Sequence, residues 1–497
     1  MHFREWVAFV VLAAGALAQT GGATYWPTGK WRMATPESQG IDSVALAAAI
    51  QQVMEKQLGV HSLLVIRHGY AVADTHFYPY DGVTPHDMAS VTKTITSTLT
   101  GVAVKNGFLK LDRPLASYFP DEYVDEAKKK ITVEDTLRMQ TGLDCGFLPG
   151  EQELERMKRS ENWVRFALSL PMKYEPATHP SYCSPGYHLL GSAIGAAAHM
   201  KEADFGYKYL FEPLGMKPGI WGEDPQGRNH GWGDSHFFAW DVAKIGYLYL
   251  HGGEWNGKQI VDRDWVKMST SLPPGARTDP GGYGYEWNVV KTDSGLQFGG
   301  TGRGGQTLWV WPDLDMIVVS FGGGNTGQIA PLIRAAVKSD KALPENATGG
   351  AELRAKMVAA GKAPAAEAAA RLPKMAAAVS GAVYEFPVNP SRLDRIALTF
   401  KSEKEARVDI QYYGAPLSFP VGLDGVYRLG PYGPFGLLAG ARGKWISENE
   451  FLLDLNFVAN INHYTLKIRF DGEKISVNAN EASGLIRNGT LMGVRKS

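Results

Sequence analysis

A change of composition near residue 349 constrains the architecture of this 497-residue chain more than any other sequence feature. Residues 349–378 are rich in alanine with scattered glycine and proline, which is typical of a connection between domains. A chain of this length exceeds what one core usually holds, so a division is expected. We predict a large domain over residues 19–345, a linker over 346–378 and a small domain over 379–497.

The larger domain has strand patterns at both ends and helical patterns between them. Apolar runs at 63–66 and 71–77 flank His68-Gly69, which indicates a hairpin, and a second pair flanks Pro312-Asp313. Stretches of helical periodicity cover residues 90–106, 187–200 and 240–251. We therefore predict an α+β fold in which helices flank an antiparallel sheet built from distant pieces, with an all-helical insert.

The segment after residue 379 has an all-β pattern. Residues 407–413 alternate in polarity, and apolar residues from Tyr464 to Phe470 mark one face of a strand that turns at Asp471-Gly472. Short strands joined by glycine turns are typical of a small barrel or sandwich.

The N-terminus resembles an export signal. His2 and Arg4 precede an apolar run over 6–18 that ends in Ala16-Leu17-Ala18, and this run is shorter than the roughly 20 residues that cross a bilayer. We expect residues 1–18 to be a cleaved signal peptide and the protein to be periplasmic or extracellular, the alternative being a retained anchor. Export permits a disulfide between Cys145 and Cys183, but the sequence alone leaves free thiols equally open.

Charge composition gives no support for a strongly charged partner. The chain has 51 basic and 51 acidic side chains, so no electrostatic argument favours nucleic acid or an anionic membrane surface. His230, Asp234 and His236 lie close together in sequence, but they lack a clear ligand spacing, and we expect no metal and no cofactor.

Ser90-Val91-Thr92-Lys93 is the first segment with evident chemistry. A spacing of three at the start of a helix places Ser90 and Lys93 on one face, and the positive end of the helix favours an oxyanion nearby. A serine hydroxyl needs an adjacent base, and a lysine can act as one when burial lowers its pKa from about 10.4 to about 7–8. The motif alone is weak, since a surface serine and lysine would give the same letters.

Two further segments strengthen this interpretation. Tyr182-Cys183-Ser184 leads into a helix and presents a phenol, which can exchange protons, and a hydroxyl, which can bond Lys93 or substrate. The glycine-rich run 298–306, which includes Thr301, Gly302 and Arg303, precedes a strand and permits close approach of its backbone to a ligand.

These three elements, in this order, resemble the serine β-lactamase and penicillin-binding-protein superfamily, in its class C β-lactamase-like esterase and amide hydrolase branch. The resemblance covers roughly residues 38–339. Additional matching stretches are 88–94, 107–112, 131–137, 253–257 and 283–287.

The resemblance implies a mechanism for small amide or ester substrates. Ser90 attacks a carbonyl and forms an acyl-enzyme, Lys93 is its base, and Tyr182 passes protons to the leaving group and from water. The oxyanion would lie between the N–H groups of Ser90 and Arg303, with Thr301, Gly302 and Ser184 contacting substrate. Cys145 and Cys183 border the site in the family, which favours a disulfide beside Tyr182.

Two departures from the family pattern affect substrate choice. The cation that usually precedes Thr-Gly is replaced by Gly300, so that turnover of β-lactams or D-alanyl peptides is in doubt, unless Arg303 substitutes for it. Ser184 stands where many members have asparagine. The ending Gly304-Gly305-Gln306 resembles amide hydrolases that act on short linear oligomers such as 6-aminohexanoate dimer. The alternative function is a catalytically silent relative that binds ligands or serves as a scaffold.

Overall fold

The computed structural model describes residues 25–122, 124–146, 151–272, 284–292, 295–324, 326–389 and 391–496. The predicted signal peptide, residues 1–18, lies outside these ranges, so its cleavage stays a prediction. Across the described ranges, no helix combines the length and the apolar character that a bilayer crossing needs.

The larger domain contains short and long strands that are distributed along its length. Their bounds are β1 Arg32–Met33, β2 Val60–Arg67, β3 Tyr70–His76, β4 His86–Asp87, β5 Ile220–Trp221, β6 Ser235–Phe237, β7 Glu254–Trp255, β8 Lys258–Gln259, β9 Asn288–Thr292, β10 Gly295–Gly302, β11 Gln306–Trp311 and β12 Met316–Gly322.

Helices occupy the central part of this domain and its two ends. Their bounds are α1 Ser43–Glu55, α2 Val91–Lys105, α3 Val133–Leu137, α4 Gln152–Met157, α5 Trp163–Ser169, α6 Ser184–Ala198, α7 Glu202–Gly206, α8 Ala239–Leu250, α9 Arg263–Ser269 and α10 Ile329–Ala336.

The main sheet has seven strands in the order β1-β3-β2-β12-β11-β10-β9. Both predicted hairpins are present as β2–β3 and β11–β12, and β12 pairs antiparallel with β2 so that Ile317 lies opposite Ile66. Among the pairings described within this sheet, only that of the short edge strand β1 with β3 is parallel. The sequence prediction of an α+β fold with a discontinuous antiparallel sheet is confirmed.

The sheet is covered on both faces because its central strands are mostly apolar and present buried residues to both sides. One face packs against α1 and α10 through residues such as Leu46, Val65 and Ile333. The other face packs against α2 and α8 through Leu64, Ile95 and Ile245. Helix α2 is thereby held inside the domain, with most of its side chains buried.

The predicted linker is partly helical. Helix α11, Ala347–Ala360, packs on α1 and contributes Leu353 and Ala360 to the same core, and α12, Lys374–Val379, leads into the second domain. The sequence pattern gave no helix here because alanine-rich segments lack a clear apolar stripe. The domain boundaries themselves stay a prediction.

The second domain is a closed barrel around its own apolar core. Parallel pairing of β16 with β18 closes the ten-stranded sheet, which selects the barrel over the sandwich. The strands are β13 Val383–Glu385, β14 Leu393–Phe400, β15 Glu405–Tyr412, β16 Ala415–Gly422, β17 Arg428–Gly430, β18 Ala439–Trp445, β19 Glu450–Asn456, β20 His463–Asp471, β21 Lys474–Glu481 and β22 Gly489–Arg495.

The barrel docks on the larger domain close to Ser90. The loop between β19 and β20 accepts a hydrogen bond at Ala459 O from Asp87 N (2.8 Å), and its Asn460 Nδ2 lies 2.9 Å from His236 Nε2. Since Asp87 precedes Ser90 by three residues, the barrel contacts the segment that carries the predicted nucleophile.

Candidate active site

Ser90 lies at the N-terminal end of α2, where the preceding loop turns sharply. Ala89 has a left-handed backbone with φ of 45°, and its N–H donates to Asp87 Oδ1 at 2.7 Å. Left-handed conformations of non-glycine residues are uncommon and often occur at functional sites. The turn places Ser90 as the cap residue of α2, near the positive end of the helix dipole.

The structure brings together Ser90, Lys93 and Tyr182. Lys93 Nζ lies 3.1 Å from Ser90 Oγ, and the Tyr182 hydroxyl donates to the same Oγ at 2.7 Å. Lys93 Nζ also lies 4.7 Å from the centre of the Tyr182 ring and donates to the carbonyl oxygen of Trp232 at 2.8 Å. One hydroxyl oxygen is therefore within hydrogen-bonding reach of an amine and a phenol.

The electrostatic environment of Lys93 opposes its charge. The residue is completely buried, and this desolvation lowers the pKa of its amine. The carboxyl groups of Glu151, Glu286 and Asp234 act in the opposite direction and only partly compensate. A lysine whose pKa is lowered in this way holds a larger neutral fraction at a given pH, as a base toward Ser90 requires.

Tyr182 is held in place by covalent and hydrogen-bonding constraints on its neighbour. Cys183 forms a disulfide with Cys145, and its N–H donates to the sulfur of Met139. The structure thus contains the disulfide that the sequence alone left open. Because Tyr182 precedes Cys183 directly, the cross-link fixes the backbone that carries the phenol.

Ser184 makes a different contact from those considered in the sequence analysis. Its hydroxyl donates a short hydrogen bond to Glu151 Oε2, at the start of α4. The sequence prediction had this hydroxyl bonding Lys93 or substrate. Glu151 carried no sequence signal, since it lies far from the three motifs along the chain.

The end of β10 lies directly against the loop that carries Ser90. A Cβ atom placed on Gly302 would be 3.0 Å from Ser90 N and 2.9 Å from Met88 O. Thr301 is exposed, and its Oγ1 accepts from Asn288 Nδ2 at 3.1 Å. The backbone at 302–303 therefore borders the Ser90 amide, in the region where an oxyanion would bind.

The missing cation at position 300 has a steric explanation. A Cβ atom on Gly300 would lie 2.6 Å from Thr94 Oγ1 and 3.0 Å from Val91 Cγ1, both on α2. Strand β10 approaches α2 so closely here that a lysine or histidine side chain has no space. The family's usual cation is replaced by direct contact between strand and helix.

The guanidinium of Arg303 has partners in the second domain. It donates to Asn462 Oδ1 at 2.9 Å and to Ser483 Oγ at 2.8 Å, and it lies 3.5 Å from Glu481. All three partners belong to the barrel. The side chain thus contacts the second domain, and these contacts argue against the suggestion that Arg303 substitutes for the cation.

The three residues considered as metal ligands have other partners. His230 Nδ1 lies 2.8 Å from Asp234 Oδ2, whereas His236 faces Asn460 of the barrel. Across the described residues, no group of three or more histidine, cysteine or acidic side chains has the arrangement of a metal site.

Two further contributors to the site, besides Glu151, were not predicted from sequence. The Trp232 carbonyl holds Lys93, and a backbone oxygen leaves no trace in a sequence. Glu286, in the run Tyr285-Glu286-Trp287, is buried near Lys93. Its one sequence signal was an acidic residue between two aromatic residues. The structure buries both aromatic side chains completely.

Comparison with known proteins gives a consistent result. The family model described as Beta-lactamase matches residues 46–331, which is more than half of the chain. The 6-aminohexanoate-dimer hydrolase of Paenarthrobacter ureafaciens is 22% identical over 314 residues, covering 58% of this chain and 79% of that protein.

Solved structures share the fold of the larger domain. A Bacillus anthracis protein assigned as a 6-aminohexanoate-dimer hydrolase has a TM-score of 0.50 at 18% identity, covering 62% of this chain and 80% of its own. EstCE1, described as a hydrolase with promiscuous acyltransferase activity, has a TM-score of 0.50 at 16% identity, with coverages of 60% and 99%. At such identities the likeness concerns the fold alone.

Proposed function

The chain belongs to the beta-lactamase family and is a hydrolase of the serine type; from this premise we propose that it cleaves an amide or ester bond through an acyl-enzyme on Ser90. The observation that carries the proposal is the placement of Lys93 Nζ and the Tyr182 hydroxyl within 3.1 Å and 2.7 Å of Ser90 Oγ. A binding protein has no chemical need for this convergence.

The proposed first step is acylation. Neutral Lys93 accepts the proton of Ser90 as Oγ forms a bond to the substrate carbonyl carbon. The carbonyl electron pair moves onto oxygen, and the N–H groups of Ser90 and Arg303 bind the resulting oxyanion. One such donor is typically worth about 3–4 kcal/mol of transition-state stabilisation.

The second half of the cycle releases both products. When the tetrahedral intermediate collapses, Tyr182 donates a proton to the leaving amine or alcohol and is reprotonated through Lys93. A water molecule then gives a proton to the same pair as its oxygen bonds to the acyl carbon. When this second tetrahedral intermediate collapses, the bond between the acyl carbon and Ser90 Oγ breaks, the pair returns the proton to Oγ, and the carboxylic acid product leaves. The lowered pKa of Lys93 supports its role as the proton acceptor.

The substrate is a small amide or ester without a strict need for a carboxylate near the reacting carbonyl. Gly300 leaves no room for the cation that would bind such a carboxylate, and Arg303 is engaged by the barrel. The relative from Paenarthrobacter ureafaciens is named for hydrolysis of the 6-aminohexanoate dimer. Short linear amides are therefore the substrate class that we place first.

Active-site labelling combined with a substrate panel tests the proposal. A fluorophosphonate probe should add its mass to the peptide that contains Ser90, and Ser90→Ala should remove the adduct. Among p-nitrophenyl esters, nitrocefin and short linear amides, we expect turnover of the esters and amides and little of nitrocefin. Folded protein that resists every acylating probe would instead support the silent, ligand-binding alternative.

We further propose that the protein is exported after removal of residues 1–18. The disulfide between Cys145 and Cys183 supports this location, because such bonds persist in oxidising compartments. N-terminal sequencing of protein recovered from the medium or periplasm should begin at or near Gln19. Recovery only from the cytoplasm with an intact N-terminus would contradict it.

A further inference from the structure

Glu286 lies beside the turn of α2 that carries Lys93. The carbonyl oxygen of its neighbour Tyr285 accepts a hydrogen bond from Ser97 Oγ at 2.6 Å, and Ser97 follows Lys93 by one helical turn. Two residues after Glu286, Asn288 bonds Thr301 at the end of β10. The segment is thus fixed between the lysine-bearing helix and the strand that borders Ser90.

Three properties make Glu286 unusual. Its backbone is left-handed, with φ of 59°, a conformation that favours glycine. The side chain is only 4% exposed, and its Oε2 has no hydrogen-bond partner among the described residues. A buried carboxyl oxygen without a hydrogen-bond partner and a left-handed backbone both destabilise a fold, and such features cluster at functional sites.

The charged groups near Glu286 come from two elements. Lys93 of α2 lowers the pKa of the Glu286 carboxyl and Glu151 at the start of α4 raises it, but burial dominates and raises that pKa to about 8. Lys93 in turn faces Glu151 and Asp234, and its amine lies over the Tyr182 ring. Lys93 and Glu286 are thus oppositely charged when ionised, and each affects the other's proton affinity.

We propose that Glu286 is a positioning residue that acts through Lys93. Its buried carboxyl controls how readily the neighbouring amine gives up its proton, and this sets the pH range in which Ser90 is activated. The inference rests on the proposed function. When Glu286 is ionised it stabilises the Lys93 ammonium, and the base is weakened. When Glu286 keeps its proton, Lys93 loses that stabilisation and becomes the neutral base.

The test replaces the carboxyl in two ways that affect the backbone differently. Glu286→Gln keeps the size of the side chain and removes the charge. Glu286→Gly removes the side chain and suits the left-handed backbone, so that it provides a folded variant if the glutamine variant is unstable. The measured quantity is the second-order rate of Ser90 phosphonylation by a fluorophosphonate between pH 5 and pH 10, which requires no knowledge of the natural substrate.

Glu202 provides a matched control within the same domain. It is 2% exposed, its Oε2 also lacks a partner among the described residues, and burial raises its pKa to about 8 as well. A carboxyl whose pKa is raised on folding stabilises the protein at low pH, and this contribution is lost as pH rises through the folded value. Glu286→Gln and Glu202→Gln should therefore change the pH dependence of stability in the same direction.

Catalysis separates the two residues. The Glu286 carboxyl carries its charge mainly above its pKa of about 8. Above that pH both Glu286 variants should shift the rising part of the phosphonylation profile to lower pH, by about one unit, because the Lys93 ammonium loses an attractive charge. Glu202→Gln should leave that part of the profile in place. Profiles of both Glu286 variants that coincide with the wild type, or an equal shift in Glu202→Gln, would overturn the inference. Absence of any labelling of wild-type Ser90 would instead refute the proposed function.

Discussion

Gly302→Ala is the substitution for which the structure gives the most direct estimate of an effect. A Cβ atom there would lie 2.9 Å from Met88 O, 2.9 Å from Ala89 Cβ and 3.0 Å from Ser90 N. Ordinary carbon contacts are about 3.5–4.0 Å, so roughly half an ångström must be relieved. Because β10 is held by its pairing with β11, we expect the loop that carries Ser90 to move.

The size of the loss follows from that displacement. A misplacement of about 1 Å in an active site can cost about 100-fold in rate, and complete loss of one oxyanion donor costs about 100- to 1,000-fold. Half that displacement should slow Ser90 acylation about 10- to 100-fold, or about 1.4–2.7 kcal/mol. The assay is the rate of fluorophosphonate labelling, with p-nitrophenyl ester hydrolysis as a second readout and melting temperature as the check on folding.

Gly233→Ala is the matched control. Its Cβ atom would approach the same loop, at Ala89 O, but at an ordinary distance of 3.8 Å. Labelling should remain within a few-fold of wild type. If folded Gly302→Ala were acylated at the wild-type rate, the close approach of β10 to the Ser90 amide would have no role in the reaction.

Three further outcomes follow from the same site. Tyr182→Phe removes the 2.7 Å hydrogen bond to Ser90. We expect kcat for amides to fall about 100-fold or more, because the leaving amine needs a proton, whereas kcat for esters with good leaving groups should fall less. Equal losses for both substrate classes would contradict the proton-donor role. Replacing Cys145 and Cys183 with serine should lower the free energy of unfolding by about 3–4 kcal/mol in chemical denaturation. Activity should also fall, because the backbone at Tyr182 is less well fixed. Unchanged stability and activity would show that the disulfide does not stabilise this segment. Burial lowers the pKa of Lys93 from its ordinary value of 10.5. A plot of kcat/KM against pH should therefore rise and level off with a midpoint below 10.5. A midpoint at 10.5 would exclude Lys93 as a base whose pKa is lowered by burial.

Local sequence signals were sufficient for much of this account. Helix α2 corresponds to the helical periodicity predicted over residues 90–106, and a capping box between Thr132 and Asp135 starts α3. Such elements are specified by residues close together in the chain, and this is the range over which periodicity and capping operate. The order of three short motifs was enough to group Ser90, Lys93 and Tyr182.

The contacts that could not be predicted are those between segments that lie far apart in the chain. The collision that excludes a side chain at Gly300 depends on how closely β10 packs on α2. The guanidinium of Arg303 is bound by barrel residues about 160 to 180 positions later in the chain. Glu286 approaches Lys93 because two distant segments cross. Neither the composition of the chain nor the spacing of its residues predicts such contacts.

The claim on which the rest depends is that catalysis passes through an ester on Ser90. Turnover of a p-nitrophenyl ester, quenched in acid within the first turnovers and examined by intact mass and peptide mapping, tests it directly. We predict a mass increase of one acyl group confined to the Ser90 peptide, formed in wild type and absent from Ser90→Ala. Rapid turnover by Ser90→Ala, or an acyl group on a different residue of the wild type, would contradict the account.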